Sequence, residues 1–396
     1  LWLYPENSNL TVNNFGVLMF GFCDIKASIL HIDADYVMNL NLNKSVIENK
    51  ENNNEVVPVD LERKIDDTSW KELISKTNDG TFKSLNNYFI NRSITPKNDM
   101  TGKFKDKNLI IIMMESVNEI AIYNEEYFPT LYKMYHEGIS FKNNYSPRNN
   151  CSTGNNEFTV LSSLFTINNT CTANTYASNK YPEAVFNIFN NAGYKTSAYH
   201  DYTQKFYRRS KILPNLGANK YYGVEDLKIP YSTNYTEADD KDMFIAAQKY
   251  YMNEDKFMAY FATVTPHQSY IDSQICSERY YKKYRDLGYS SNLSRYLSKM
   301  QVMDEAFQEL LKQLEETDKL KDTVIAVFGD HFPYGLTDSQ INEFLEKNNA
   351  GYTINRNSTT NKNVDKTPMF IYNSEMEPLV VEDYTTIIDL LPTLHI

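Results

Sequence analysis

Apolar residues along this chain fall into short unbroken runs separated by longer stretches of helical spacing. The run Val324-Ile325-Ala326-Val327-Phe328, closed by Gly329, reads as a strand buried on both faces, as inside a parallel sheet. Asn108 to Met114 (NLIIIMM) repeats the pattern. Shorter strands are predicted at Ile139–Phe141, Tyr194–Tyr199, Phe257–Val264 and Met369–Tyr372. Between them lie helical patterns. Pro129 and Gly138 bracket one helix, and Phe158, Leu161, Leu164 and Phe165 mark a second, with Glu157 in its first turn favouring the helix dipole. Pro182 opens a third, ended by Gly193. Met243–Tyr251, the series Leu297, Met300, Met303, Phe307, Leu310 and Leu314, and Thr385–Leu394 give three more. Alternation of this kind predicts an α/β fold, a mostly parallel central sheet with helices on both faces.

The first hundred residues differ. Residues 1–60 are Asn-rich and read as a connector with one helix, and 60–92 as helical, with Trp70, Leu73, Ile74, Phe82, Leu85 and Phe89 inward. Pro96 and the Lys103–Lys107 run mark a boundary, dividing a linker at 1–104 from a main domain at 105–396. No stretch reaches the roughly 20 apolar residues of a membrane span; the nearest, Phe15 to Leu30, is broken by Asp24 and Lys26. The chain starts on leucine and stops near a helix, so a fragment or processed chain is expected, with any anchor upstream.

A net charge of −11 with no basic run argues against nucleic acid as the partner. An anionic substrate therefore needs local positive charge, for which Lys205, Arg208 and Arg209 are candidates. Cys151 and Cys171 are read either as a disulfide or as two buried thiols.

Candidate chemistry gathers at strand ends, where open α/β sheets bind ligands. Glu115, His200, His267 and the Asp330-His331 pair each follow a predicted strand, and Thr153 sits at a helix N-terminus. Alone, a strand-ending aspartate is more often a helix cap than a ligand. Together, carboxylates, imidazole and a hydroxyl suit Mn²⁺, Mg²⁺ or Zn²⁺, and a hydroxyl beside such a cation becomes a usable nucleophile.

Glu115 after NLIIIMM, Thr153 in CSTGNNEF, the run HDYTQKFYRRSKILPNLG, His267 in VTPHQSY, GDH at 329–331 and IIDLLPTL near the end together resemble lipoteichoic acid synthase, a polyglycerolphosphate-making branch of the alkaline phosphatase and sulfatase superfamily. The resemblance covers about residues 105–396. It implies an extracellular catalytic domain at the face of a bacterial cell membrane, anchored by spans outside this sequence. It also implies Glu115, Thr153, Asp330 and His331 as metal ligands, with Thr153 the nucleophile. Arg209, through paired N–H donors, and His267 would hold the glycerol phosphate, with His200 and Asp201 as a supporting pair. Tyr207 stands where the family usually has tryptophan. The implied donor is phosphatidylglycerol; the acceptor is a glycerolphosphate polymer or glycolipid. The Cys151-Ser152 lead-in also resembles phosphoethanolamine transferases. A sulfatase is the rival enzyme, but Cys151-Ser152-Thr153-Gly154-Asn155 lacks the proline or alanine at its third place and the arginine at its fifth. A binding module without activity is the third class.

Overall fold

The computed structural model describes residues 66–92, 98–167, 170–230, 239–361 and 363–394. Residues 1–99 and 100–396 form two compact units. The connector helix, the Phe15–Leu30 segment and Pro96 lie outside the described residues.

In the first unit the 60–92 pattern resolves into two helices, Asp67–Lys76 and Gly80–Ile90. Each starts on an aspartate cap: Asp66 accepts from the amides of Thr68 and Ser69, Asp79 from that of Phe82. Trp70 Nε1 donates to Asn86 Oδ1 at 2.9 Å, tying one helix to the other. Leu73, Phe82, Leu85 and Phe89, expected to face inward, are exposed. The break before Gly80 resets the helical period, so no single stripe runs through both helices.

The second unit is built on one eight-stranded sheet. Its strands are β1 (Asn108–Met114), β2 (Ile139–Tyr145), β3 (Lys195–His200), β4 (Lys220–Tyr222), β5 (Phe257–Ala262), β6 (Thr323–Gly329), β7 (Met369–Tyr372) and β8 (Leu379–Thr386). Their order across the sheet is β4-β3-β5-β1-β6-β7-β2-β8. Only β7 runs against its neighbours. The β1 burial pattern explains its apolar run. Ile110, Ile112 and Met114 point into one core, and Leu109, Ile111 and Met113 into another on the opposite face. Each such side chain contributes roughly 1.5–3 kcal/mol, so a polar residue anywhere in β1 is disfavoured. Helices Pro129–His136, Asp240–Tyr251 and Ser291–Glu316 add to the first core; Ser152–Ser162, Val185–Asn191 and Arg209–Asn215 add to the second. The α/β architecture is the one expected.

Several boundaries differ. The Ile139 strand runs on to Tyr145, and the Phe257 strand stops at Ala262. Pro182 lies in a turn before helix Val185–Asn191. Leu164 and Phe165 fall beyond helix Ser152–Ser162, which ends where Ser163 turns left-handed (φ 53°), and both are exposed. Thr385 and Thr386 belong to β8; a 3₁₀ turn, Ile387–Asp389, separates them from helix Leu390–Leu394. β4 and β8 were not foreseen. β4 has three residues, and β8 is a mostly exposed edge strand reading LVVEDYTT.

Candidate active site

β3, β5, β1 and β6 are neighbours and run parallel, so their carboxyl ends lie side by side. Glu115 follows β1, His200 ends β3, His267 follows β5, and Asp330 follows β6. Thr153 reaches them as the second residue of helix Ser152–Ser162.

Ligand atoms of Glu115, Asp330 and His331 all lie within 4.8 Å of one another. Thr153 Oγ1 is 3.3 Å from Glu115 Oε2 and 3.2 Å from His331 Nε2. His331 Nδ1 is 2.8 Å from the Phe332 carbonyl, which gives Nδ1 the proton and leaves the Nε2 lone pair facing the cluster. Asp330 Oδ1 accepts from the amides of Ser116 (2.8 Å) and His331 (2.6 Å). Its Oδ2 is buried, lies 3.3 Å from His331 Nε2 and has no hydrogen-bond partner among the described residues. Burial, then the charge of Glu115, raises the Asp330 carboxyl well above the ordinary range. Burial works to raise Glu115, but His331 and His267, when protonated, outweigh it and hold that carboxyl below its usual value. An orphaned carboxylate oxygen beside a second carboxylate, an imidazole lone pair and a hydroxyl is a donor set that fits a divalent cation.

A cleft beside this cluster is lined by Glu115, Thr153, His200, Tyr207, Arg209 and His267, with Tyr202 and Phe206 at its wall. Arg209 is 1% exposed. Its Nε lies 3.0 Å from both oxygens of Glu157, and its Nη1 2.9 Å from His200 Nε2. Nη2 has no partner. The expected pair of N–H donors is thus reduced to one free nitrogen, because two of the three are already engaged. Lys205 and Arg208 point elsewhere: both are exposed, and Arg208 Nη1 donates to the Asn174 carbonyl.

Glu157 also departs from expectation. It is the sixth residue of its helix, not a first-turn acid, and it is buried against Arg209 and the Tyr260 hydroxyl (2.9 Å). His200 Nδ1 donates to the Ala262 carbonyl at 2.9 Å, while Asp201 Oδ1 stands 3.8 Å away. Burial and the Arg209 charge push the His200 pKa well down, so the ring is neutral and accepts from Arg209. Asp201 is fully buried and interacts with Asp240; burial, then Asp240, raises its carboxyl well above normal. It does not line the cleft.

Tyr207 covers the start of the Thr153 helix. A Cβ on Gly154 would sit 2.9 Å from the Tyr207 ring, so only glycine lets the ring pack this closely. Tyr207 and Arg208 both have positive φ (49° and 53°), a strained turn that aims the ring inward. Cys151 is bonded to Cys171. Of the two readings of these cysteines, the disulfide holds.

Sequence reasoning missed Ser116 and Tyr334. Ser116, at φ 54°, donates from Oγ to Glu115 Oε1 at 2.6 Å and from its amide to Asp330, joining two strand ends. Tyr334 stacks on His331 with ring centroids 4.3 Å apart, and its hydroxyl meets Ser152 Oγ at 2.6 Å. Adjacency to Glu115 and to GDH was the only signal for either.

A family model described as Sulfatase matches residues 107–395. The chain belongs to the sulfatase family. Within that family it is similar to a lipoteichoic acid synthase of Staphylococcus saprophyticus, 26% identical over 271 residues, covering 66% of this chain and 41% of the relative. The chain spans less than half the length of the curated relatives it matches first. Among solved structures, the lipoteichoic acid synthase LtaP from Listeria monocytogenes superposes with a TM-score of 0.60 at 19% identity, covering 83% of this chain and 77% of that one. The Streptococcus pyogenes phosphoglycerol transferase GacH, in complex with sn-glycerol-1-phosphate, gives 0.52 at 15% identity, covering 85% and 83%. These likenesses establish the sulfatase-type fold.

Proposed function

We propose that residues 105–396 form the extracellular catalytic domain of a membrane-anchored phosphoglycerol transferase, with 1–104 as its juxtamembrane connector. The reading rests on one observation above the rest: the Thr153 hydroxyl meets the Glu115–Asp330–His331 cluster and lines, with Arg209 and His267, the cleft beside it. Lipoteichoic acid synthases and a glycerol phosphate-bound transferase among its relatives support the substrate class.

Glu115, Thr153, Asp330 and His331 would hold one divalent ion, Mn²⁺ in the first instance, with Mg²⁺ or Zn²⁺ as alternatives. The ion supplies charge that lowers the cost of ionising a hydroxyl and offsets charge on phosphoryl oxygens. The protein does the rest. Arg209 Nη2 and His267 bind the phosphate of phosphatidylglycerol, and Tyr207 walls the glycerol. Thr153 gives up its hydroxyl proton to water and Oγ attacks phosphorus; a new O–P bond forms and the bond to the diacylglycerol oxygen breaks. His267 gives that oxygen its proton. The glycerophosphoryl ester left on Thr153 is then attacked by a hydroxyl of a glycerolphosphate polymer or glycolipid, whose proton passes to His267; the bond to Thr153 breaks and its oxygen takes a proton back from water. Two displacements at one site let the lipid leave before the acceptor enters.

Phosphoethanolamine transfer is the second reading, favoured by the disulfide directly before the nucleophile. Vesicles of phosphatidylglycerol and of phosphatidylethanolamine, each incubated with the protein and Mn²⁺, separate the two. Diacylglycerol release from the first alone supports glycerol phosphate transfer; release from the second alone replaces it; release from neither leaves a binding module.

A further inference from the structure

Helix Ser291–Glu316 lays an apolar stripe against the sheet, with Tyr296, Leu297, Met300, Val302 and Met303 all buried. That buried surface also holds polar residues, Asp304 among them, and one basic residue. Lys299 is 1% exposed. Withdrawing an ammonium from water costs several kcal/mol, whereas methionine would fill the same space at no such cost. The charge therefore needs a reason.

Its Nζ donates to the carbonyl of His267 at 2.7 Å. It also lies 5.8 Å from the centre of the Tyr270 ring, whose hydroxyl donates to the Pro266 carbonyl at 3.2 Å. On the other flank stands Asp240, fully buried at the start of helix Asp240–Tyr251. Asp240 accepts from the amides of Val264 (2.8 Å) and Thr265 (3.2 Å), and its own amide donates to Thr265 Oγ1 at 3.0 Å. The His267 amide closes the turn on the Val264 carbonyl at 2.8 Å. Backbone on both sides of His267 is thus gripped by buried charges of opposite sign, one from each of two helices. The imidazole itself is only half-buried and lines the cleft with Thr153 and Arg209. Among the described residues its ring hydrogen-bonds only to the carbonyl of the next residue, Gln268, through Nδ1, so its backbone does much to set where it points.

We propose that Lys299 is a positioning residue for His267, its ammonium holding the His267 carbonyl so that the ring meets the substrate phosphate. The proposal rests on the transferase reading for what the cleft binds. It goes beyond that reading in assigning a function to a residue outside the cleft, on a helix that carries none of the candidate site residues.

The test is a double-mutant cycle read by calorimetric binding of sn-glycerol 1-phosphate to the full chain with Mn²⁺ present. K299Q is expected to weaken binding by about tenfold, the usual scale for losing a hydrogen bond from a charged group. K299M, which fills the core without a donor, should bind like K299Q, and K299R should recover most of the loss. In the H267A background, K299Q should cost nothing further, because its effect passes through the ring that has been removed. A merely structural lysine would weaken the two backgrounds alike. Additive losses, or wild-type binding by K299Q, would overturn the proposal, as would loss of cooperative unfolding in both K299Q and K299M. Wild-type protein that binds glycerol phosphate but shows an additive cycle overturns this inference alone; wild-type protein that neither binds it nor releases diacylglycerol removes the transferase reading as well.

Discussion

Glu157 and Arg209 form a buried ion pair in which both carboxylate oxygens lie 3.0 Å from the guanidinium Nε. The pair leaves the far side of the guanidinium to His200 and the cleft. A buried charge that loses its partner is costly, so E157Q is expected to destabilise the domain by about 3–5 kcal/mol in denaturant unfolding. It should also raise the KM for phosphatidylglycerol, since Arg209 would be free to turn. Unchanged stability in E157Q would mean that the guanidinium finds another anion.

R209K tests the same nitrogen from the other side. Lysine keeps one charge but cannot serve Glu157, His200 and a phosphate at once. Headgroup transfer should fall by at least about 100-fold, two lost charged hydrogen bonds at 1.5–3 kcal/mol each, while Mn²⁺ binding stays as in wild type. Full activity in R209K would place the anion elsewhere in the cleft.

Much of this was legible in the chain, and the reasons are physical. β1 and β6 are buried on both faces, so each must be an unbroken apolar run, and residues directly after such runs fall at one rim of the sheet. That logic places Glu115, His200, His267, Asp330 and His331 at one rim from the sequence alone, where the structure has them. It could not reveal that Glu157 neutralises Arg209, because a pair 52 residues apart leaves no local trace. Nor could it separate Lys299 from an ordinary solvated lysine. β8 stayed hidden because an edge strand need not alternate, and the linker helices misled because their apolar residues are exposed.

Metal binding is testable without an activity assay. The cluster holds two carboxylates close together in a dry site, so a cation should relieve their repulsion and stabilise the fold. A ligand at 100 times its Kd adds about 2.7 kcal/mol. Saturating Mn²⁺ should therefore raise the unfolding temperature of wild type and be reversed by chelator. D330A should fold and show no such rise. A full metal-induced shift in D330A would dismiss the cluster as the site.

Asp201 and Asp240 predict a pH effect. Burial, above all, raises the Asp240 carboxyl to about 6, and burial, then Asp240, raises Asp201 well above its ordinary value. Both folded values exceed the unfolded carboxylate range. Their stabilising contribution is then fully present below about pH 4 and lost as pH rises through 6, where Asp240 ionises. In D201N the amide can donate to Asp240 as the protonated carboxyl does. D201N should therefore gain stability over wild type as the pH rises from 5 to 8, since it removes a carboxyl whose folded pKa is raised. Parallel stability curves for the two proteins would show that the carboxyls do not share a proton.

Cys151 and Thr153 separate transferase from sulfatase chemistry. A sulfatase of the formylglycine type needs a free cysteine to oxidise, and Cys151 is bonded to Cys171. The bridge closes a loop of 20 residues, for which chain entropy predicts about 3 kcal/mol of stabilisation. C171S should therefore lower stability by about that amount and expose a reactive thiol at Cys151, yet leave diacylglycerol release measurable, because Thr153 keeps its contacts to Glu115 and His331. T153A should abolish release with the fold and the disulfide intact, and T153S should retain part of it, since serine keeps the hydroxyl and loses only a methyl. Intact-mass measurement during turnover of phosphatidylglycerol should find a glycerophosphoryl adduct on the protein that maps to Thr153. Formylglycine at residue 151, or release undiminished in T153A, would move the nucleophile to Cys151 and return the protein to the sulfatases in mechanism as well as in fold.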